Sequence, residues 1–170
     1  MICPHCGHSN LPGLDQCGRC MGDLTALDRP APQDRIERSL MNDSVSILKP
    51  NAPAIVQQTA NVAEALSVLL GRDVGAVLVV GESGQLVGIF SERDLLRKIA
   101  GLDTPLESLL VQHFMTPQPE TVGLRDKLAF ALHKMDVGGY RHLPVVEDGI
   151  PVGMLSVRDI IRHMTSMCSS

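Results

Sequence analysis

Aromatic side chains are nearly missing: three phenylalanines, one tyrosine and no tryptophan in 170 residues. Proteins that bind single-stranded nucleic acid by stacking bases on rings need more of them, so any pocket for a flat ligand must be walled by aliphatic side chains. A basic excess is missing too, since 15 Lys and Arg face 19 Asp and Glu, for a net charge of −4. Neutralising phosphates along a duplex takes clustered cations, and nucleic acid is not the expected partner. The longest apolar run, 74–80, falls far short of the roughly 20 residues that span a bilayer, so no membrane partner is expected. The opening Met1-Ile2-Cys3-Pro4-His5-Cys6 lacks the basic and then apolar order of a secretory signal. The expected setting is cytoplasmic.

What the chain does have is cysteine in pairs. Cys3-x-x-Cys6 and Cys17-x-x-Cys20 stand ten residues apart, and each pair can turn two thiolates towards one tetrahedral ion, with Zn2+ the expected metal and iron the lesser choice. Gly7 and Gly18 sit where a permissive backbone helps such turns, and Pro12-Gly13 can reverse the chain between them. Two other uses remain open: Cys3-Pro4-His5-Cys6 as a redox dithiol, or His5 or His8 replacing one cysteine as ligand. About two dozen residues bury too little to fold alone, so the metal must be structural, supplying roughly 10–16 kcal/mol. Residues 1–24 resemble a short zinc ribbon, with Met21 standing where such ribbons often carry a second glycine.

Residues 25–50 read as a linker, with Pro30, Pro32 and Pro50 interrupting regular structure. Within it, 34–41 can form a short helix: Asp34 and Arg38 pair at i,i+4, and Ile36 and Leu40 share an apolar face that should dock on the C-terminal module.

Displaced by 65 residues along itself, the chain matches Leu78, Val80, Glu82, Gly84, Val87, Gly88, Ser91, Arg93, Asp94 and Arg97 with identical residues from Leu143 to Arg162. That density marks an internal repeat, with copies at 51–103 and 115–168. Each copy reads as βαββα. In the first, 54–57 is a strand, Asn61 with Glu64 caps a helix ended by Gly71, and 76–80 and 86–90 are strands before a helix opened by Ser91. In the second, 120–122, 125–135, 143–146, 152–155 and a helix from Arg158 repeat the order. The fold class is α/β (α+β), two such repeats packed as a pseudo-symmetric pair behind the small head.

Ser91-x-x-Asp94 and Ser156-x-x-Asp159 are first of all capping boxes, in which Ser covers the orphan amides of the first helical turn. Their repetition, each time after Gly88 or Gly153 near a strand end, points further. A strand feeding a helix N-terminus suits an anion, a missing side chain lets a ligand approach the backbone, and Asp94 or Asp159 can accept bonds from ribose hydroxyls. Arg141 and His142 stand opposite Ala76 and Val77 in the letter match, so only the second copy has a local cation and should hold a phosphorylated ligand more tightly.

The strings Gly88-Ile-Phe-Ser-Glu-Arg-Asp94, Arg141-His-Leu-Pro-Val-Val146 and Gly153-Met-Leu-Ser-Val-Arg-Asp159 resemble those of paired CBS domains, the regulatory repeats named after cystathionine beta-synthase. The resemblance implies an adenosine-type ligand, AMP, ADP, ATP or S-adenosylmethionine, at Ser91, Asp94, Arg141, His142, Ser156, Arg158 and Asp159. Ile55, Val77, Pro119 and Val122 would wall the base. It also implies a homodimer and a regulated protein partner. No nucleophile and base lie in a recognisable catalytic order and no Walker or dinucleotide glycine loop occurs, so the expected protein is not an enzyme. The alternative is an interaction scaffold that docks through the ribbon and has no physiological nucleotide.

Overall fold

Short apolar runs broken by turn residues lay out the strands, and their pairing shows where the repeats begin. The computed structural model describes residues 2–11, 14–24 and 34–168, and its contacts separate the chain into two units, 1–38 and 39–170. The expected turn at Pro12-Gly13 and the linker residues Pro30 and Pro32 lie outside the described residues.

In the first unit each cysteine pair forms the same knuckle. The Cys3 amide donates to the His8 carbonyl and the Gly7 amide to the Cys3 carbonyl, as Cys17 does to Gly22 and Met21 to Cys17, all at 2.9 Å. The residue after each pair is left-handed, Gly7 at φ 69° and Met21 at φ 57°. The second knuckle's special backbone thus falls on Met21 and not on Gly18, at the place where the ribbon pattern would put a glycine. Cys3, Cys17 and Leu24 form the buried centre.

Helix α1 (Arg35–Asn42) is opened by Asp34, whose Oδ1 accepts from the Glu37 amide at 2.7 Å. Asp34 is therefore spent as a cap in place of the expected pairing with Arg38. In the second unit, strands β1 (Ile55–Gln57), β2 (Ala76–Val80), β3 (Leu86–Ser91) and β4 (Thr116–Pro117) form one sheet in that order, β1 parallel to β2 and the rest antiparallel. Helix α2 (Val62–Arg72) is capped by Asn61 as expected, but it runs through Gly71 and stops at left-handed Asp73. Ser91 opens helix α3 (Glu92–Asp94), which continues as a π-helix to Ile99. In the second repeat, α4 (Leu128–Gly138) starts later than expected because the Asp126 carboxylate closes a turn on the Gly123 amide at 2.8 Å. Strands β5 (His142–Glu147) and β6 (Ile150–Ser156) and helix α5 (Val157–Cys168) complete it.

The expected strand at 120–122 is reduced to a single parallel bridge between Val122 and Val145. In the first repeat the Leu78 amide donates to the Ala54 carbonyl at 2.8 Å. The matching residue of β5 is Pro144, which has no N–H to give.

The repeats exchange their leading segments. Thr116, at the start of repeat two, pairs with Ile89 of β3, and Asn51, at the start of repeat one, bridges Met154 of β6. Val45, 0% exposed, lies in the core of repeat two with Leu128, Leu143 and Ile160, and Leu40 packs there as well. Val111 is its counterpart in the core of repeat one, beside Val62, Val77 and Phe90. Leu40, Val45 and Leu48, expected within a linker, thus pack into the second repeat's core. Burying a valine fully contributes about 1.5–3 kcal/mol.

Candidate functional site

Both Ser-x-x-Asp boxes form as helix caps. Ser91 donates from its amide and hydroxyl to Asp94 Oδ2 at 3.0 and 2.7 Å; Ser156 does the same to Asp159 Oδ2 at 2.9 and 2.6 Å. One carboxylate oxygen in each repeat is thereby used up. The difference lies in the other.

Asp94 Oδ1 is held by Lys98 Nζ at 2.8 Å and by the Thr116 hydroxyl at 3.4 Å. The same ammonium also donates to the carbonyls of Phe114 and Met115, at 2.6 and 3.3 Å. Lys98 thus ties the exchanged segment down over the carboxylate. Burial works to raise the Asp94 pKa, but the Lys98 ammonium and the Ser91 hydroxyl and amide outweigh it and hold the carboxyl below its ordinary value. In repeat two the residue at the place of Lys98 is His163. It turns to α1 instead, where Nε2 meets the Ser39 hydroxyl at 2.9 Å while that hydroxyl donates to Asp43. Among the described residues Asp159 Oδ1 has only Arg162 at 3.6 Å, a side chain 78% exposed. Asp159 lines a groove of about 280 Å³ together with Ile47, Leu48, Arg162, His163 and Ser166.

The glycines do not act as expected. A Cβ on Gly153 would stand 2.8 Å from Pro50 Cβ, and one on Gly88 would run into Met115. The bare backbone at each admits the exchanged segment of the chain, leaving no ligand-sized gap. Strand pairing also shifts the letter match. Gly88 pairs with Val79 and Gly153 with Val145, so the turn in repeat two is one residue shorter, and Arg141 and His142 stand opposite Gly75 and Ala76, not Ala76 and Val77. The Val157 amide donates to the Arg141 carbonyl as the Glu92 amide does to Gly75, which places Arg141, His142, Ser156, Arg158 and Asp159 around one helix start.

Of the expected wall residues, Val77 and Val122 are 0% and 1% exposed and lie inside the two cores, where they have no surface to offer. Ile55 is 41% exposed and Pro119 half-buried. Ile47 and Leu48 escaped the sequence reading because they stand more than a hundred residues before Asp159. The difference between Lys98 and His163, by contrast, was present in the repeat match, four residues after each Asp.

In the head, all four cysteine Sγ atoms lie within 4.8 Å of one another. Cys3–Cys20 and Cys6–Cys17 approach to 3.6 and 3.7 Å, close to the edge of about 3.8 Å for a tetrahedron with metal–sulfur bonds of 2.3 Å. Backbone amides of Cys20 and Arg19 face the Cys17 sulfur and bring its pKa down to about 6, which favours the thiolate that a metal needs. The donor set fits a tetrahedral metal ion.

Residues 38–101 and 111–166 match the CBS domain family. The chain belongs to it. The two matches lie in tandem across most of the second unit, and proteins of this family are generally regulatory. The chain is 36% identical over 103 residues to the mitochondrial CBS domain-containing protein CBSX3 of Arabidopsis thaliana, covering 58% of this chain and 50% of that one. It spans about half the length of the curated relatives it matches. Among solved structures, a CBS domain protein of Pyrobaculum aerophilum complexed with AMP has a TM-score of 0.64 at 28% identity, over 72% of this chain and 98% of that one. CBSX2 in complex with AMP has a TM-score of 0.65 at 25% identity, over 73% and 97%. No helix among the described residues is long and apolar enough to cross a membrane.

Proposed function

We propose that this chain is a non-enzymatic regulatory protein whose second CBS repeat takes one adenosine-type ligand and whose response is read by a partner protein. The observation that carries the reading is the unequal state of the two carboxylates: Asp159 lines a groove, with Arg162 3.6 Å from its Oδ1, whereas Asp94 Oδ1 is held by Lys98 at 2.8 Å. A carboxylate oxygen with free lone pairs can accept from a ribose diol. Ile47 and Leu48 supply the apolar wall that an aromatic-poor chain must build from aliphatic side chains. Arg141 and Arg158, neither in an ion pair among the described residues, favour a phosphorylated ligand of the AMP, ADP or ATP type over S-adenosylmethionine. The AMP complexes of related CBS proteins support the ligand class.

In the same reading the head holds a structural Zn2+, the setting is the reducing cytoplasm in which such thiolates persist, and the protein is a homodimer. Isothermal titration with AMP tests the central point. Asp159→Ala should lose at least tenfold in affinity and Asp94→Ala little; unchanged binding by Asp159→Ala rejects the reading. Native mass spectrometry of the full chain reports zinc and chain stoichiometry together.

A further inference from the structure

His142 is a titratable side chain at the seam between the two repeats that neither carboxylate's hydrogen bonding uses. It is the first residue of β5, opposite Ser156, and its ring lies against the start of β2, where a Cβ on Gly75 would be 3.3 Å from Cε1 and 3.7 Å from Nε2. The Glu92 carboxylate of repeat one reaches the same spot, 3.7 Å from that position. Among the described residues neither ring nitrogen has a hydrogen-bond partner. The charges that act on the ring's protonation come from three elements: Asp159 and Arg158 on α5, Glu92 on α3, and Arg141 beside it on the chain.

We infer that His142 makes the second site sensitive to the charge of its ligand, taking up a proton from solvent on its free ring nitrogen as a phosphorylated nucleoside binds. This rests on the proposed adenosine-nucleotide site of repeat two. Without ligand, burial first, and then the Arg158 and Arg141 cations, outweigh Asp159 and Glu92 and hold the imidazole pKa below its ordinary value, so near neutral pH the ring is uncharged. A phosphate dianion seated on Arg141 and Arg158 offsets those two cations and adds negative charge beside the ring, which favours the imidazolium. The ring then becomes a further donor to the phosphate. A ligand without phosphate brings no such charge and takes up no proton. Repeat one has Gly75 and Ala76 at the places of Arg141 and His142, so the response belongs to repeat two.

By linkage, a proton taken up on binding makes affinity rise as pH falls, by about tenfold per unit of rise in the ring's pKa. The experiment is titration calorimetry of the full chain at pH 7.5 in two buffers of different ionisation enthalpy, with AMP and with adenosine. Wild type should take up a measurable fraction of a proton with AMP and none with adenosine. His142→Gln and His142→Ala should lose the uptake with AMP. AMP binding without uptake by wild type, or equal uptake by both variants, overturns the assignment while leaving the nucleotide site standing. Loss of adenosine binding in both variants makes the ring a structural part of the site and overturns it too. If wild type binds neither ligand, the site reading itself is wrong.

Discussion

Lys98 Nζ lies 2.8 Å from Asp94 Oδ1, a contact missing from repeat two, where the same capping box is followed by His163 and that side chain turns to Ser39. The ammonium occupies that carboxylate oxygen, and its bonds to the carbonyls of Phe114 and Met115 hold it there. Removing it should open the first site. Lys98→Ala is expected to raise AMP stoichiometry from about one towards two per chain in calorimetry. The cost in stability should be small, since a partly exposed ion pair contributes about 1 kcal/mol or less. A stoichiometry that stays at one would show that something other than Lys98 closes the first repeat.

The two glycines ahead of the capping boxes should respond unequally to a methyl group. Gly153→Ala pushes against Pro50 Cβ at 2.8 Å, with the Asn51 carbonyl 3.6 Å away, and neither the ring nor the backbone can swing aside. Gly88→Ala meets the Met115 side chain, which is flexible and can turn out of the way. We expect Gly153→Ala to cost about 1–3 kcal/mol and Gly88→Ala less, read as urea midpoints. Equal losses would mean that the exchanged segment moves as a whole.

Acid should weaken repeat one through Asp94. Its folded pKa is held below the ordinary carboxylate value by Lys98 and the Ser91 donors. Its contribution is therefore complete above the unfolded pKa of about 3.9 and is lost as pH falls through the lower folded value. Urea midpoints measured from pH 6 to pH 3 should fall less steeply for Asp94→Asn than for wild type. Parallel slopes would assign acid sensitivity to other carboxylates.

Local spacing made the cysteine knuckles, the Asn61 cap and both Ser-x-x-Asp boxes legible in the sequence, because each closes within a few residues and depends on side-chain chemistry alone. Where a boundary was misplaced, a neighbour outside the local pattern decided it. Asp126 turned back on Gly123 and delayed α4, and Asp73 carried the left-handed stop expected at Gly71.

The duplication and the four-cysteine head were thus determined by the sequence itself, since a period and a thiol pair are properties of order along the chain. Tertiary structure decided which repeat owns which segment and which carboxylate is free. Val45 enters the core of repeat two, Pro50 covers Gly153, and Lys98 reaches the Phe114 carbonyl only after the leading segments cross between repeats. Those contacts join residues far apart in the chain, and burial of apolar surface, blind to sequence order, selects them.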